Sequence, residues 1–289
     1  MKVVMGLAVL AIVLAPEARS QEKNESVLEN IFGRKGTVQG SVTKFTFPRT
    51  DLNVKVGSVV VDPGLALTSW IAFGTMGDHS MVMGDLVLLD REVAPVESGL
   101  IEEGIEVTAI HNHILNESPA IKYLHFEGMG DAVKIAGAMK RVLERTGTPL
   151  TIQQAVRSSS QTDWSAVESV LGRKGTHRGT LLLLGIPRTE KIMENGMEIP
   201  GFMGMATGMN LQMVGASVAT TGDFVLLPDE VNPVAKALTE HGIAVTAIHS
   251  HMLFESPRLF FLHFWGMGTP KEIAQGLRAA LDKTNSMKP

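Results

Sequence analysis

The chain of 289 residues states most of its content twice. "HNHILNESPAIKYLHFEGMG" begins at His111 and "HSHMLFESPRLFFLHFWGMG" begins at His249, with twelve of twenty positions identical. "GIEVTAI" from Gly104 returns as "GIAVTAI" from Gly242, and "GDLVLL" from Gly84 as "GDFVLL" from Gly222, all at an offset of 138 residues. Upstream, "GRKGT" at Gly33 and Gly172 and "PRT" at Pro48 and Pro187 keep an offset of 139. A near-constant offset sustained over this length is tandem duplication of a whole structural unit. The expected organisation is a leader over 1–20, a first unit over 24–147, a Ser-bearing linker over 148–162 and a second unit over 163–286.

Each unit reads as α+β, with mainly antiparallel sheet and flanking helices. "SVLE" at Ser26 and "SAVE" at Ser165 have the spacing of capping boxes, and Gly33 and Gly172 follow as helix stops. Short β-branched runs broken by Gly, Pro and Asp predict strands over 37–47, 54–61, 67–76 and 80–89. A helix is expected over 92–103, strands over 105–113 and 120–127, and a closing helix capped by Asp131 in the first copy and by Thr269 with Pro270 in the second.

"MKVVMGLAVLAIVLAPEARS" has an early lysine, an apolar run and small residues ahead of Gln21, the layout of a secretory signal peptide. The expected product is exported, periplasmic or secreted, with no stable membrane anchor after cleavage. The formal charge of −4, with no basic cluster, argues against nucleic acid as a partner. The absence of cysteine removes disulfides, thiolate ligands and a thiol nucleophile.

Chemistry concentrates in the repeated stretch. On an unbroken strand Ile105, Val107, Ala109, His111 and His113 share one face, as do Ile243, Val245, Ala247, His249 and His251. The histidines would then continue the apolar face. His125 and His263 sit on the following strand, within reach across an antiparallel pair. His111, His113 and His125 form one expected metal cluster, and His249, His251 and His263 a second. Three imidazoles with a nearby carboxylate suit a first-row transition metal, zinc by default. Glu117 and Glu255 lie in the connecting loops and could orient or deprotonate a metal-bound water as general base. The string His-x-His-x-x-x-Glu also fits the first metal motif of cupin barrels, but the second motif is not visible.

Arg49 and Arg188 read as turn residues with a surface salt bridge or as contacts to an anion near the site. Asp85 and Asp223 read as turns, or as partners of histidine N–H groups. Met203, Met205, Met209 and Met213 read as core filler, with copper as the alternative in a His- and Met-bearing exported protein. His79, His177 and His241 have no counterpart in the other copy and read as surface or structural.

"VTAIHNHILNESP", "LHFEGMGD", the "PRTD" turn and "MVMGDLVLL" together resemble the LppY/LpqO family of exported bacterial proteins. The resemblance covers nearly all of the chain beyond the leader. It implies export and an unassigned biochemical role. Lipid attachment, which many members resemble lipoproteins in having, lacks its cysteine here, and Gly-Met-Gly at 128–130 and 266–268 stands where the family pattern has Gly-His-Gly. Three functions are compatible with the residues. One is a protein binding a metal ion or small-molecule ligand. Another is a zinc-dependent hydrolase. The last is an envelope protein whose histidines fill its core.

Overall fold

The computed structural model describes residues 25–76, 79–151 and 162–288. The leader and most of the linker lie outside these residues. The first half runs through a helix over 25–32 (α1), β1 (Thr37–Gln39), β2 (Val42–Pro48), β3 (Lys55–Val56), β4 (Val59–Val60), β5 (Thr68–Met76), β6 (His79–Leu89), α2 (Asp90–Glu102), β7 (Glu106–His111), β8 (Glu117–Ser118), β9 (Ile121–Gly130) and α3 (Ala132–Leu143). The second runs through α4 (Ser165–Leu171), β10 (Thr176–Arg178), β11 (Leu181–Pro187), β12 (Met193–Glu194), β13 (Met197–Glu198), a 3-10 turn (Gly201–Met203), β14 (Ala206–Val214), β15 (Ser217–Leu226), α5 (Val231–Glu240), β16 (Ala244–His249), β17 (Phe260–Gly268) and α6 (Pro270–Leu281).

Both halves build a six-stranded antiparallel sheet with the same path, β1-β2-β5-β6-β9-β7 and β10-β11-β14-β15-β17-β16. The fold is α+β with tandem duplication. These sheets are open, which departs from the closed barrel that a cupin requires.

Each sheet is covered on both faces. In β6, Val82, Leu86 and Leu88 face the helices and pack with Phe45, Val96, Phe126 and Met139. The alternate residues Met81, Met83, Val87 and Leu89 point the other way, into two clusters shared with the second half. One of these joins Val42, Ala72 and Met81 to Val225, Leu259 and Phe261. The other joins Leu67, Val87 and Tyr123 to Leu181. The layers are therefore helices, sheet, sheet, helices. "MVMGDLVLL" is apolar at almost every position because neither face of its strand meets water.

The helix ends refine the expected caps. Gly172 ends α4 at φ 67°, and Asp131 and Thr269 accept from the third backbone N–H of α3 and α6 at 2.8 and 3.3 Å. The box expected at Ser165 does not form. Trp164 is the N-cap of α4, and Asp163 accepts from Ser165 N at 2.9 Å. Glu168 reaches forward to Gly175 N, Lys174 and His177, and Glu29 likewise to Gly36 N and Lys35, so these carboxylates fasten the loop after each helix. No helix among the described residues is long and apolar enough to cross a membrane.

Candidate metal centre between the halves

The histidines reach their positions through a bulge. In β7, Val107 pairs with Phe126 and Ala109 with His125, leaving Thr108 as an extra residue; Val245, Thr246 and Ala247 repeat this against Phe264 and His263. Directly paired residues share a face of the sheet. Ile105 and Val107 therefore face the helix side with Phe126, whereas Ala109 and His111 face the other side with His125 and Tyr123. An unbroken strand would have kept Ala109 and His111 on the helix side; one extra residue turns the strand over. Both strands end at their first histidine, so His113 and His251 lie in the loops beyond. His125 is opposite Ala109, and Tyr123 is opposite His111.

The face reached in this way meets its counterpart, and the two expected clusters lie side by side with His111 common to both. His111 stacks on His249 with ring centroids 3.6 Å apart. His113 stacks on His263 at 3.8 Å and His125 on His251 at 3.7 Å. The last two pairs exchange when the halves are swapped, and the first maps onto itself, so a pseudo-twofold axis passes between His111 and His249. Tyr123 backs His113 at 3.4 Å, and Phe261 backs His251 at 3.5 Å. Thr246, the bulge residue of the second half, donates its hydroxyl to His113 O at 2.6 Å and ties the halves together at the centre.

Two sets of ligand atoms each fall within 4.8 Å: His111, His113 and His125 in one, and His111, His249, His251 and His263 in the other. The Nε2 atom of every one of the six is buried without a hydrogen-bond partner. The opposite nitrogen is held in several rings. His263 Nδ1 bonds Gly222 O at 3.0 Å, and His249 Nδ1 bonds Ser250 O at 3.2 Å. A carbonyl can only accept, so Nδ1 carries the proton and Nε2 presents a lone pair. Burial lowers every ring's basicity, with neighbouring imidazoles adding to the effect in most: His249 falls to about 4, His263 to about 3, and the other four fall as well. Neutral imidazoles are the form that binds metals.

The carboxylates beside the rings are Asp85 and Asp223. Asp85 is paired with His125 and Asp223 with His263, both in mid-strand and not in turns. Asp85 Oδ2 lies 3.6 Å from His113 Nε2 and 3.7 Å from His125 Nε2; Asp223 Oδ2 lies 3.8 Å from His251 Nε2. Two ligand atoms on one tetrahedral zinc are about 3.4 Å apart, from bonds of about 2.0–2.1 Å, so Asp85 stands near coordinating range. Burial pushes the Asp85 carboxyl up to about 8 against the opposing pull of Lys44, and pushes Asp223 up as well. The preceding glycines are required by packing. A Cβ at Gly84 would lie 2.4 Å from Trp70 O, and one at Gly222 would lie 2.0 Å from Gly208 O. The repeated Gly-Asp pair was the available clue, and its meaning depended on knowing the strand pairing.

Glu117 and Glu255 join neither ligand set. Glu117 accepts from Ile121 N at 3.0 Å, and Glu255 from Leu259 N at 2.9 Å and Arg258 at 3.1 Å, so both brace the loop that carries the second histidine. Arg49 and Arg188 are neither surface bridges nor anion contacts. Arg49 is fully buried and spends all five N–H donors on Asp51, Glu92 and Val87 O; Arg188 spends its five on Glu190, Glu230 and Val225 O. Met203 and Met205 belong to the core between the sheets, and Met209 to the helix-side core. His177 bonds Glu168, and His241 bonds Ala237 O.

A cavity of about 280 Å³ opens beside the rings, lined by His113, His125, His251, Asp85, Asp223, Tyr123 and Lys44 among others. The arrangement can present nitrogen and carboxylate ligands to a cation while leaving one side open to a small molecule.

A family model described as "Domain of Unknown Function (DUF1259)" matches residues 26–145 and, a second time, 165–283. No curated protein matches the chain. Among solved structures, a trimeric bacterial microcompartment shell protein, PduB, is 13% identical over 86% of this chain and 88% of its own, with a TM-score of 0.20. EtuB from Clostridium kluyveri is 11% identical over the same shares, also with a TM-score of 0.20. Superposition this poor carries no argument.

Proposed function

The chain belongs to the family described as "Domain of Unknown Function (DUF1259)", once in each half, and from that premise we propose that it is an exported protein that binds a transition-metal ion between its two halves. The observation that carries this reading is the gathering of six histidines into two overlapping sets of ligand atoms, with every Nε2 buried and unpartnered. A buried polar group left without a partner costs about 1–3 kcal/mol. Core histidines in a purely structural role would each have a hydrogen-bonding neighbour at both nitrogens. A cation offsets that cost for several rings together.

Zinc is the default ion, because nitrogen and carboxylate donors in a tetrahedral shell suit it. Copper is the alternative, although Met203, Met205 and Met209 are buried in the cores. His111 belongs to both sets, so binding in one draws on both halves. Export is supported by the leader-like opening residues and by the resemblance to the LppY/LpqO proteins.

The cavity favours a second reading, a metal-dependent hydrolase. A sealed structural ion has no need of an open side, whereas a catalytic one keeps a coordination position free. In that reading Asp85 or Asp223, which line the cavity, would deprotonate the bound water in place of Glu117 and Glu255.

Elemental analysis of the protein purified without an affinity tag tests the central claim. At least one transition-metal ion per chain is expected, reduced in His111→Ala and in His249→Ala and absent when both are changed. Full occupancy in the double variant overturns the reading. Metal-dependent turnover of ester or phosphoester substrates, abolished in Asp85→Asn with metal retained, would separate the hydrolase from simple binding.

A further inference from the structure

The duplication loses its symmetry at the cavity beside the histidines. Trp70 and Gly208 occupy equivalent rungs, each opposite its aspartate, and Met83 and Thr221 are equivalent one rung pair away. Lys44, opposite Ala72, corresponds to Leu183, opposite Asn210. The second half therefore contributes small or polar residues where the first has bulk, and the first half contributes a cation. A Cβ at Gly208 would meet nothing within 4 Å, and its backbone is not left-handed, so glycine here serves neither packing nor conformation and leaves open space.

The polar groups of the wall divide by role. Asp85 and Asp223 approach the histidine nitrogens and turn toward the proposed ion. Two of the remaining groups, Thr221 and Lys44, have donors to spare. Thr221 is 2% exposed, lines the cavity, and its hydroxyl has no partner. Lys44 Nζ lies 3.9 Å from the Trp70 ring centroid and donates to Phe202 O at 3.2 Å, leaving two further N–H groups. Among the described residues it is the one lysine or arginine lining the cavity.

We propose that this cavity binds a small oxyanion, a carboxylate or phosphate group, with one oxygen toward the metal centre and another toward Lys44 and Thr221. A volume of about 280 Å³ is below the range of roughly 300–1,000 Å³ typical of drug-sized sites, which limits the ligand to a small molecule. The inference rests on the metal reading. Without an ion, nothing holds the ligand oxygen turned toward the metal centre.

The test uses the whole protein loaded with Co(II), whose visible absorption reports a change of ligand at the metal. Acetate and inorganic phosphate are titrated separately. A saturable spectral change is expected with at least one, and the arm that responds identifies the source of the oxyanion. Lys44→Leu, which installs the residue of the second half, is expected to weaken that response about tenfold or more, as loss of a hydrogen bond to a charged group implies, with metal content and unfolding midpoint unchanged. Gly208→Trp is expected to fill the cavity and abolish the response while the metal stays. Failure of the wild type to bind Co(II) overturns the metal reading itself. Bound Co(II) whose spectrum neither anion alters overturns the oxyanion inference alone, as does a response that Lys44→Leu and a folded Gly208→Trp both leave intact.

Discussion

Replacing Arg49 by Met tests whether its guanidinium is a brace or a ligand contact. The side chain is fully buried, and its five donors fasten the loop after β2 to the first turn of α2 through Glu92 and to β6 through Val87 O. Glu92, 5% exposed, also accepts from Leu89 N at 2.9 Å and Gly147 N at 2.8 Å. Removing the arginine leaves a buried carboxylate on two backbone N–H groups. Breaking a buried pair from one side costs about 3–5 kcal/mol, because the remaining charge is uncompensated. A chain of this size loses roughly 2–4 °C of midpoint per kcal/mol, giving a fall of about 6–20 °C. Thermal unfolding followed by circular dichroism measures it, alongside metal content of the folded protein, which is expected to hold. The double variant Arg49→Met/Glu92→Met should lose less than the sum of the two single changes, since it strands no charge. A midpoint within a degree or two of wild type, or loss of metal with the fold intact, would refute the assignment.

Three further outcomes are expected. Gly222→Ala, with its Cβ 2.0 Å from Gly208 O, should cost about 1–3 kcal/mol or more in denaturant unfolding, whereas Gly208→Ala meets nothing within 4 Å and should be close to neutral. The metal-free protein should lose stability as pH falls from about 6.5 to 4, because histidines of the unfolded chain take up protons near 6.5 while His249 in the fold resists until about 4 and His263 until about 3; a flat stability profile over that window would contradict the burial of the rings. Glu168 is held down at about 2 by Lys174, Gly175 N and His177, so its contribution is complete above the ordinary carboxylate value of 4.5 and is lost as pH falls from there toward 2; Glu168→Gln should flatten that acid limb.

The repeat, its elements and the six histidines were legible because each leaves a local trace: a constant offset, β-branched runs, a Gly stop, a Thr-Pro cap. The grouping of His111 with His113 and His125, and of His249 with His251 and His263, was legible as well; that His111 also joins the second set was not, since no residue type announces that Thr108 is surplus. From local pattern Asp85 reads as a turn because Gly84 precedes it, although that glycine answers to the Trp70 carbonyl on the neighbouring strand. Arg49 followed a proline and so looked superficial, yet its partner Glu92 lies 43 positions away. Each of these depends on a contact distant in sequence, which local pattern does not report.

The surplus residue in each histidine strand has a consequence that outruns its size. Delete Thr108 and Thr246, and the same letters would thread the same ladders with their imidazoles delivered to the oily side under the helices. Donor atoms that now face one another across a seam would be walled off behind separate sheets. Two added stitches decide whether the middle pair of that centre, His111 and His249, meets at all.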